Sequence, residues 1–587
     1  MEAIAFLNSP HLDSVERWFD IVIDRKNPGR AIEVADLLRR HRFFASLPLG
    51  GRLLSLRWMM HAPEESLSKE AVAQKQKFLA SHSSYAALVN QTNQITTGLD
   101  LLPVNPVINS PEERKQSKLI QELATVSSQQ ESLLASFALR REPAEMSFPP
   151  PLRLKDFQSR IANDQVALVC VSTSAYHLFL LNSNSVQYLD PVDSKVMTRS
   201  VGGLLKKMGI SDPALDVKTV QDTQWKTTAQ EMKSGLFGST PDESWPPLRE
   251  LVIVPDGVLW YLPFEAIPLT GVDGVEYLSD AVNIRYSPTL GLGFGKQRTP
   301  AEIKNTAVVT GRMFSRGEAE LSKLQFKDFV KTNPDAIQYQ RSGKVPANYL
   351  VSLLDQLIVW SEIKSARNQP LTMNPFQFDT RKPGSPLESW IALPWRGAGN
   401  VIMPGINSDG GSGFRGKLYG HDLFLTSVGL MASGSRSALL SRWATGGKTA
   451  IELTKQYASE LPKSGMAQAI FDSRKSVRES DLEYAQEPRV RAKKDDPLIK
   501  GAHPFFWAAH MLFSIPDGAP VPVAGKAAAA IDDAAAGGGD VAAKDIQPDP
   551  GAPAKDDAEA KQDQGAGANA DEAIVLPGQE PAGSTKK

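Results

Sequence analysis

The chain has 587 residues, of which 41% are hydrophobic and 22% charged, and its formal net charge is −1 at pH 7. This length exceeds what one compact core supports, so we expect two or more domains. The near-zero net charge provides no field that would attract nucleic acid or a membrane surface, and we predict neither as a partner. The one cysteine, Cys170, excludes an internal disulfide framework and a cysteine-rich zinc site.

Targeting and membrane signals are not evident in the sequence. Its start lacks the basic residues and apolar run of a signal peptide. No stretch reaches the roughly 18 to 20 uninterrupted apolar residues of a membrane helix. We therefore expect a cytoplasmic protein.

Residues 1–147 have the pattern of a helical domain. In the segment 30–42, Ile32, Ala35 and Leu38 recur at helical spacing. Such spacing predicts an amphipathic helix with one apolar face.

A longer helix is predicted over 110–141. Ser110 is a good N-cap, Pro111 suits the first turn, and the acidic pair Glu112 and Glu113 favours a helix start. We find no convincing repeat near 34 residues, the spacing of common helical solenoids. The helical domain is therefore either a bundle or a degenerate repeat array.

Residues 148–516 have the pattern of an α/β domain. Three consecutive prolines at 149–151 mark its start as a stiff spacer. Short apolar runs then alternate with amphipathic helices such as 448–461, which is typical of a mostly parallel sheet covered on both faces. The predicted strands 166–173 and 176–183 form a hairpin. The segment 248–269 is predicted to be a buried strand followed by a Pro-Asp-Gly turn, and the further predicted strands are 305–311, 355–362, 400–405 and 422–429.

The last segment, 517–587, is predicted to be a disordered tail. It is rich in Ala, Gly, Pro, Asp and Lys and has few large apolar residues. Such a composition cannot bury enough surface to offset the entropy of ordering, which favours a spacer or solubilising role.

Several motifs that could carry chemistry have simpler explanations. The segment 291–295, GLGFG, lacks the full dinucleotide-binding spacing and indicates a flexible loop. His503 and His510 have no acidic or cysteine ligand between them, so we interpret both as structural. Cys170 lies within an apolar strand, where burial would keep its thiol protonated and inert. We predict no metal and no cofactor.

Four segments in order resemble the CHAT domain family, the caspase-clan peptidase-like domains associated with helical repeats. They are LVIVPDGVLWYLPFEAIPL (251–269), YSPTL (286–290), LFLTSVGLMASGSRSALLSRW (423–443) and HPFFWAAHMLF (503–513). The resemblance spans roughly residues 150–515. It implies a caspase-like α/β fold, a mostly parallel sheet flanked by helices, preceded by an all-α domain.

The same resemblance implies a catalytic dyad, a histidine after one strand and a cysteine after the next. It places the histidine position at Asn407 and the cysteine position at Val428. Asparagine has no group that titrates near neutral pH, and valine has no nucleophile. Gly446 and Gly447 follow the Trp where the family has an acidic residue, so its preference for basic residues is not expected here.

A displaced nucleophile or a misaligned dyad is the alternative. Ser427 and Thr426 flank the vacant cysteine position, and His421 precedes them at the start of the predicted strand 422–429. A serine beside a histidine is an established mechanism, but six residues of strand span roughly 20 Å. The hydroxyl of Ser427 is then a strand-end group and only a fallback nucleophile.

The loop after the strand 400–405 is a candidate binding surface. Its glycines permit close backbone approach, and Asp409 could bond a cationic group. We predict a cleft-binding set of Asn407, Ser408, Asp409 and Ser427, with a plain surface loop as the other interpretation.

The sequence therefore predicts a CHAT-like pseudo-peptidase rather than an enzyme. It would act as a scaffold or regulator that binds a protein or peptide, through the vacant cleft or the helical domain. The alternatives are an active hydrolase, and a helical binding module carried by a purely structural CHAT-like part.

Overall fold

The computed structural model describes residues 11–515, except 142–145, 239–247, 270–275, 296–301, 314–318, 340–346, 365–368, 377–384, 394–396 and 415–417. The predicted tail, 517–587, lies outside the described residues.

The N-terminal part of the chain is helical, as predicted. Asn27 caps the second helix by accepting a hydrogen bond from the Arg30 amide at 3.0 Å, and Ser110 caps the sixth by accepting from the Glu113 amide at 3.1 Å. The helices are α1 (Leu12–Asp24), α2 (Pro28–Ala45), α3 (Arg52–His61), α4 (Lys69–Ser81), α5 (Ser83–Asp100) and α6 (Pro111–Arg140).

In the described part of the chain, twelve strands form one mixed sheet in the order β3-β2-β1-β6-β7-β16-β14-β12-β10-β8-β9, with β4 beside β2. The strands are β1 (Gln165–Ser172), β2 (Ala175–Leu181), β3 (Val186–Tyr188), β4 (Val192–Asp193), β6 (Glu250–Val254), β7 (Asn283–Tyr286), β8 (Thr306–Thr310), β9 (Ile337–Tyr339), β10 (Gln356–Trp360), β12 (Asn400–Met403), β14 (Ser437–Ser441) and β16 (His510–Ser514). Two small parallel pairs accompany it, β5 (Leu215–Asp216) with β15 (Val490–Arg491) and β11 (Ile363–Lys364) with β13 (Ile406–Asn407).

The sheet has two halves that run in opposite directions. Strands β1, β6 and β7 are parallel to one another, and so are β14, β12, β10, β8 and β9. Between them, β16 is parallel to β7 and antiparallel to β14. The carboxyl ends of the two halves therefore lie at opposite edges of the sheet.

Helices cover the sheet, and the predicted α/β class is confirmed. The predicted hairpin is confirmed too, because β1 and β2 are antiparallel with Val169 opposite Phe179. The described helices after residue 150 are α7 (Leu154–Gln158), α8 (Ser194–Lys207), α9 (Val217–Gln221), α10 (Gln224–Phe237), α11 (Leu278–Ala281), α12 (Leu290–Gly293), α13 (Ala319–Thr332), α14 (Ala347–Val351), α15 (Leu387–Ile391), α16 (His421–Ala432), α17 (Gly447–Glu479) and α18 (Pro504–Trp507).

One predicted strand is wrong. Residues 422–429 belong to the helix α16, not to the sheet. Every residue from Asp422 to Ala432 is buried, so the helix has no polar face. Without a polar face, a short apolar segment has no 3.6-residue periodicity to distinguish it from a buried strand.

Helix α2 joins the helical region to the first half of the sheet. Its apolar residues, including Ile32 and Leu38, share a core with Val169 and Phe179 of the hairpin. Burial of such side chains stabilises the contact by roughly 1.5–3 kcal/mol each. That 1–147 forms a domain distinct from 148–516 stays a prediction.

An ion pair fixes the end of α2 on the Pro-Asp-Gly turn. Arg42 Nη1 donates to both carboxylate oxygens of Asp256, at 2.9 and 2.7 Å. The same carboxylate accepts from the amides of Ser172 at 2.9 Å and Gly257 at 3.0 Å. Gly257 has φ +56°, and a Cβ there would lie 2.2 Å from Tyr176 Oη, so the turn requires glycine. The Pro-Asp-Gly turn is thus an anchor for the helical region.

We expect Asp256→Asn to lower the free energy of unfolding by about 2–4 kcal/mol, because it leaves the part-buried Arg42 with the more exposed Glu16 carboxylate alone and removes the charged acceptor of the Ser172 and Gly257 amides. Urea denaturation followed by circular dichroism measures the change. The control is Asp164→Asn, whose carboxylate pairs with Arg249 but is 48% exposed, and which should cost no more than about 1 kcal/mol. Equal losses for the two variants would contradict the anchoring role.

Candidate functional site

The candidate site is the edge where the second half of the sheet ends. Strands β10, β12 and β14 are parallel neighbours, so their carboxyl ends meet there. The described residues that follow them are Ser361 and Glu362, 404–407, and Arg442 and Trp443. These positions carry neither histidine nor cysteine.

Because residues 422–429 form a helix and not the predicted strand, Val428 does not lie where the predicted cysteine position was expected. Val428 lies in the middle of α16 and is fully buried, so it does not follow a strand. Asn407 lies at the end of β13, just beyond β12, and its residue is exposed. The two predicted dyad positions therefore lie on different kinds of element.

The ends of β10 and β12 pack backbone against backbone. A Cβ on Gly405 would lie 2.1 Å from the Ser361 carbonyl oxygen, and one on Gly311 would lie 2.5 Å from Ser361 Oγ. Beyond this contact, β11 and β13 pair in parallel. The space at these strand ends is thus occupied by the chain itself.

The loop after β13 uses its polar groups internally. Ser408 Oγ donates to the Arg442 carbonyl and accepts from the Gly410 amide. The Asp409 amide donates to Asp422 Oδ2 at 2.9 Å, and Ser412 Oγ donates to Asp409 Oδ1 at 3.2 Å. Ser408 and Asp409 are both buried. Of the predicted cleft-binding residues, Asn407 alone is exposed.

Tyr261, from the segment 251–269, packs against this loop through its ring and bonds the start of α16 through its hydroxyl. Its hydroxyl donates to Asp422 Oδ1 at 2.9 Å and accepts from the Gly420 amide at 2.8 Å. The Phe414 ring stacks on the Tyr261 ring at 5.4 Å. A Cβ on Gly410 would lie 2.7 Å from the Tyr261 ring, so the close approach that glycine permits is made to Tyr261. Burial raises the pKa of Tyr261 and of Asp422.

A second signature residue, Glu265, lies in a fully buried ion cluster. Glu265 Oε2 is 2.9 Å from Arg442 Nη2, and Glu265 Oε1 is 3.0 Å from Arg474 Nη2. The Tyr286 hydroxyl donates to Glu265 Oε2 at 3.0 Å and accepts from Arg442. The cluster joins β7 and β14, which belong to opposite halves of the sheet.

The fallback nucleophile, Ser427, has no access to solvent. It is fully buried, and its hydroxyl donates to the Phe424 carbonyl at 2.9 Å. His421 lies six residues earlier on the same helix, which separates the two by about 9 Å along the axis and places them on different faces. Burial lowers the pKa of His421. The helix therefore does not pair these residues as nucleophile and base.

The other candidate groups lie in the core, as predicted. Cys170 is buried, and burial raises the pKa of its thiol. Burial lowers the pKa of His503 to about 4 and of His510 to about 3. Within the described ranges, no group of three or more His, Cys, Asp or Glu residues could hold a metal ion. No helix in that part of the chain is long and apolar enough to cross a membrane.

An acidic residue that sequence reasoning missed lies beside the Gly446–Gly447 pair. Glu487 Oε1 accepts from the Thr449 amide at 2.8 Å, and Glu487 Oε2 accepts from the Thr449 hydroxyl at 3.1 Å. A Cβ on Gly447 would lie 2.3 Å from Glu487 Oε2, so this glycine makes room for the carboxylate. Glu487 caps α17 from outside the helix, and burial raises its pKa to about 8. Nothing local in the sequence signals a partner forty residues away.

Comparison with known proteins gives little. No family model matches the chain, and no curated protein sequence is similar to it. Two crystal structures of the Saccharomyces cerevisiae separase–securin complex are similar to it at TM-score 0.37, with 10% and 9% identity over 84% and 86% of this chain. This chain covers only 38% and 44% of those chains. Similarity at this level establishes neither a family nor an activity.

We expect Glu265→Gln to lower the free energy of unfolding by about 3–5 kcal/mol, because two buried guanidinium groups lose their carboxylate. Urea denaturation measures the loss. The control is Glu276→Gln, which breaks a pair with Lys226 that is 58% exposed on the glutamate side and should cost no more than about 1 kcal/mol. If both variants lose the same amount, the buried cluster does not hold the sheet halves together.

From the raised pKa of Glu487 we expect the stability of the folded chain to depend on pH. Its pKa of about 8 in the folded chain lies above its ordinary value of 4.5, so between these values the folded state holds a proton that the unfolded state has released. The contribution of Glu487 to the free energy of unfolding is therefore fully present below pH 4.5, and it is lost as the pH rises towards 8. Glu487→Gln cannot ionise, so its stability relative to the unmodified chain should increase between pH 5 and pH 8.

Chemical denaturation at the two pH values checks this expectation. The buried histidines change the free energy of unfolding with pH in the opposite direction. Because they are present in both proteins, subtracting one free energy of unfolding from the other removes their contribution. Lys448 and Glu452 lie close enough to influence Glu487 and remain in both proteins. Glu483→Gln, at an exposed glutamate that pairs with Lys448, is the control and should leave the pH dependence unchanged. A constant difference between pH 5 and pH 8 would rule out Glu487 as the titrating group.

Proposed function

We propose that this protein is a CHAT-like pseudo-peptidase that binds a protein or peptide partner and acts as a scaffold or regulator. The observation that carries the proposal is the composition of the strand-end edge. The described residues after β10, β12 and β14 offer no thiol and no imidazole, and the loop above them is closed by its own hydrogen bonds. Peptide hydrolysis by a nucleophile requires an accessible nucleophile with a base in reach.

The roles of the signature residues support the same proposal. Asp256 anchors helix α2, Tyr261 holds the loop after β13, and Glu265 neutralises two buried arginines. Each of these residues serves the fold. A chain can therefore retain them while its catalytic dyad is absent.

Exposed apolar side chains in the helical region favour partner binding there. The connection between α5 and α6 exposes Leu101, Val107 and Ile108, by 79%, 78% and 57%. Such residues gathered in one connection are typical of a contact surface. The alternative hydrolase has no comparable support, since Ser427 is buried and bonded to a backbone carbonyl.

The test for catalysis is a digest of a denatured proteome by the purified full chain, with new N-termini identified by mass spectrometry. We expect no cleavage sites beyond the buffer control, whereas a known cysteine peptidase in parallel should produce many. Ser427→Ala is the matched variant for the displaced nucleophile. Sites present with the unmodified chain and lost in Ser427→Ala would establish the hydrolase instead.

The test for binding is photo-crosslinking with a benzophenone amino acid introduced at Val107 in the native host. The control position is Leu498, which is also apolar and 73% exposed. We expect one crosslinked protein at Val107 that is absent at Leu498. Equal crosslinking at both positions would show that the connection between α5 and α6 is not a specific contact surface.

A further inference from the structure

A cavity of about 630 Å³ lies between the helical region and the sheet region. Its walls come from the end of α2, from α3 and α6 on one side, and from α15, α16 and the turn Pro370–Thr372 on the other. This volume is within the range of sites for small organic ligands. Of the groups considered above as nucleophile or base, His421 alone is in its described lining.

The floor of the cavity is apolar and well buried. Leu54, Leu371, Ile391 and Leu425 line it, and each is less than a tenth exposed. An apolar floor of this kind favours a ligand with an apolar body.

The cavity has an excess of negative charge. Arg57 is its one cationic side chain within the described lining, and two carboxylates, Glu131 and Glu388, accompany it. Arg57 is already engaged, since Nη1 donates to the Ile391 carbonyl at 2.7 Å and Nη2 pairs with Glu131. The Glu388 carboxylate then remains to be complemented by a cation.

His421 adds a hydrogen-bond acceptor to the same cavity. Burial and the nearby Arg42 lower its pKa, so the ring is neutral at pH 7. A neutral imidazole accepts one hydrogen bond through its unprotonated nitrogen. An ammonium group has three donors and no acceptor, which suits the Glu388 carboxylate and this ring. An anionic ligand would meet two carboxylates and one cationic side chain of the described lining, Arg57, which already pairs with Glu131.

We propose that this cavity is a binding site for a compact organic cation, an apolar body that carries one amine. The apolar body lies on the leucine floor, and the amine lies near Glu388 and His421. The proposal goes beyond the proposed pseudo-peptidase function and does not depend on it.

Isothermal titration of the full chain at pH 7 tests the proposal with three probes of the same shape. These are 4-phenylbutylamine, 4-phenylbutanol and 4-phenylbutyrate. We expect saturable binding of the amine, weaker binding of the alcohol and no measurable binding of the carboxylate. The proposal is overturned if the carboxylate binds as tightly as the amine, or if the amine shows no saturable binding.

Variants at exposed positions locate the site without disturbing the core. Ala45→Trp and Ala392→Trp each place a large side chain in the cavity from its exposed rim, and each should weaken amine binding at least about tenfold. Glu388→Gln should weaken it by up to about fivefold, the value of an exposed ion pair. The control is Glu65→Gln, an exposed acid of the helical region outside the cavity, which should leave the affinity unchanged.

Thermal unfolding of each variant confirms that it is folded before titration. Amine binding that persists in both tryptophan variants would place the ligand elsewhere and overturn the proposal. An equal loss in Glu388→Gln and Glu65→Gln would show a general charge effect and would also overturn it.

Discussion

The fold depends on one buried carboxylate, that of Glu265. The two halves of the sheet run in opposite directions and meet at β7, β16 and β14. Arg442, which directly follows β14, and Tyr286, which ends β7, both contact Glu265. Two guanidinium groups without a carboxylate would carry a prohibitive desolvation cost in such a core. Glu265 therefore links the two halves by side-chain contacts, beside the backbone pairing of β16 with β7 and β14.

The strand-end edge is connected to this junction through Arg442. Arg442 is held by Glu265 and by the Ala508 carbonyl at 2.6 Å, and its own carbonyl receives the Ser408 hydroxyl. Through Ser408 the loop after β13 is tied to β14, and through Tyr261 it is tied to α16. The elements at this edge are thus bonded to one another. A peptide would have to break these contacts to enter.

Sequence patterns correctly predicted two kinds of element: helices with one buried face, and strands that are buried on both faces of the sheet. The hairpin containing Cys170, the capped helix after Ser110 and the central strands follow from local chemistry alone. The helix α16 was predicted as a strand because all of its residues from Asp422 are buried, so the polar face that identifies a helix is missing. Its length and the positive-φ Gly420 before it are the signals that favour a helix start.

At the candidate site, sequence reasoning reaches the residue identities but not the contacts, because the contacts join segments that are far apart along the chain. The absence of histidine and cysteine can be read from the sequence because it concerns residue identities. The internal use of Ser408 and Asp409, and the placement of Glu487 beside Gly447, depend on contacts between segments thirteen to forty residues apart. No local pattern encodes such contacts, since pairing of this kind is decided by packing.

The residues of the segment 251–269 have structural roles that are independent of any catalytic role. In this chain the Asp256, Tyr261 and Glu265 side chains are each satisfied by partners within the protein, and each partner belongs to a different element. All three side chains therefore have a structural role in this chain. The segment 251–269 therefore indicates the architecture of the chain and does not by itself indicate catalysis.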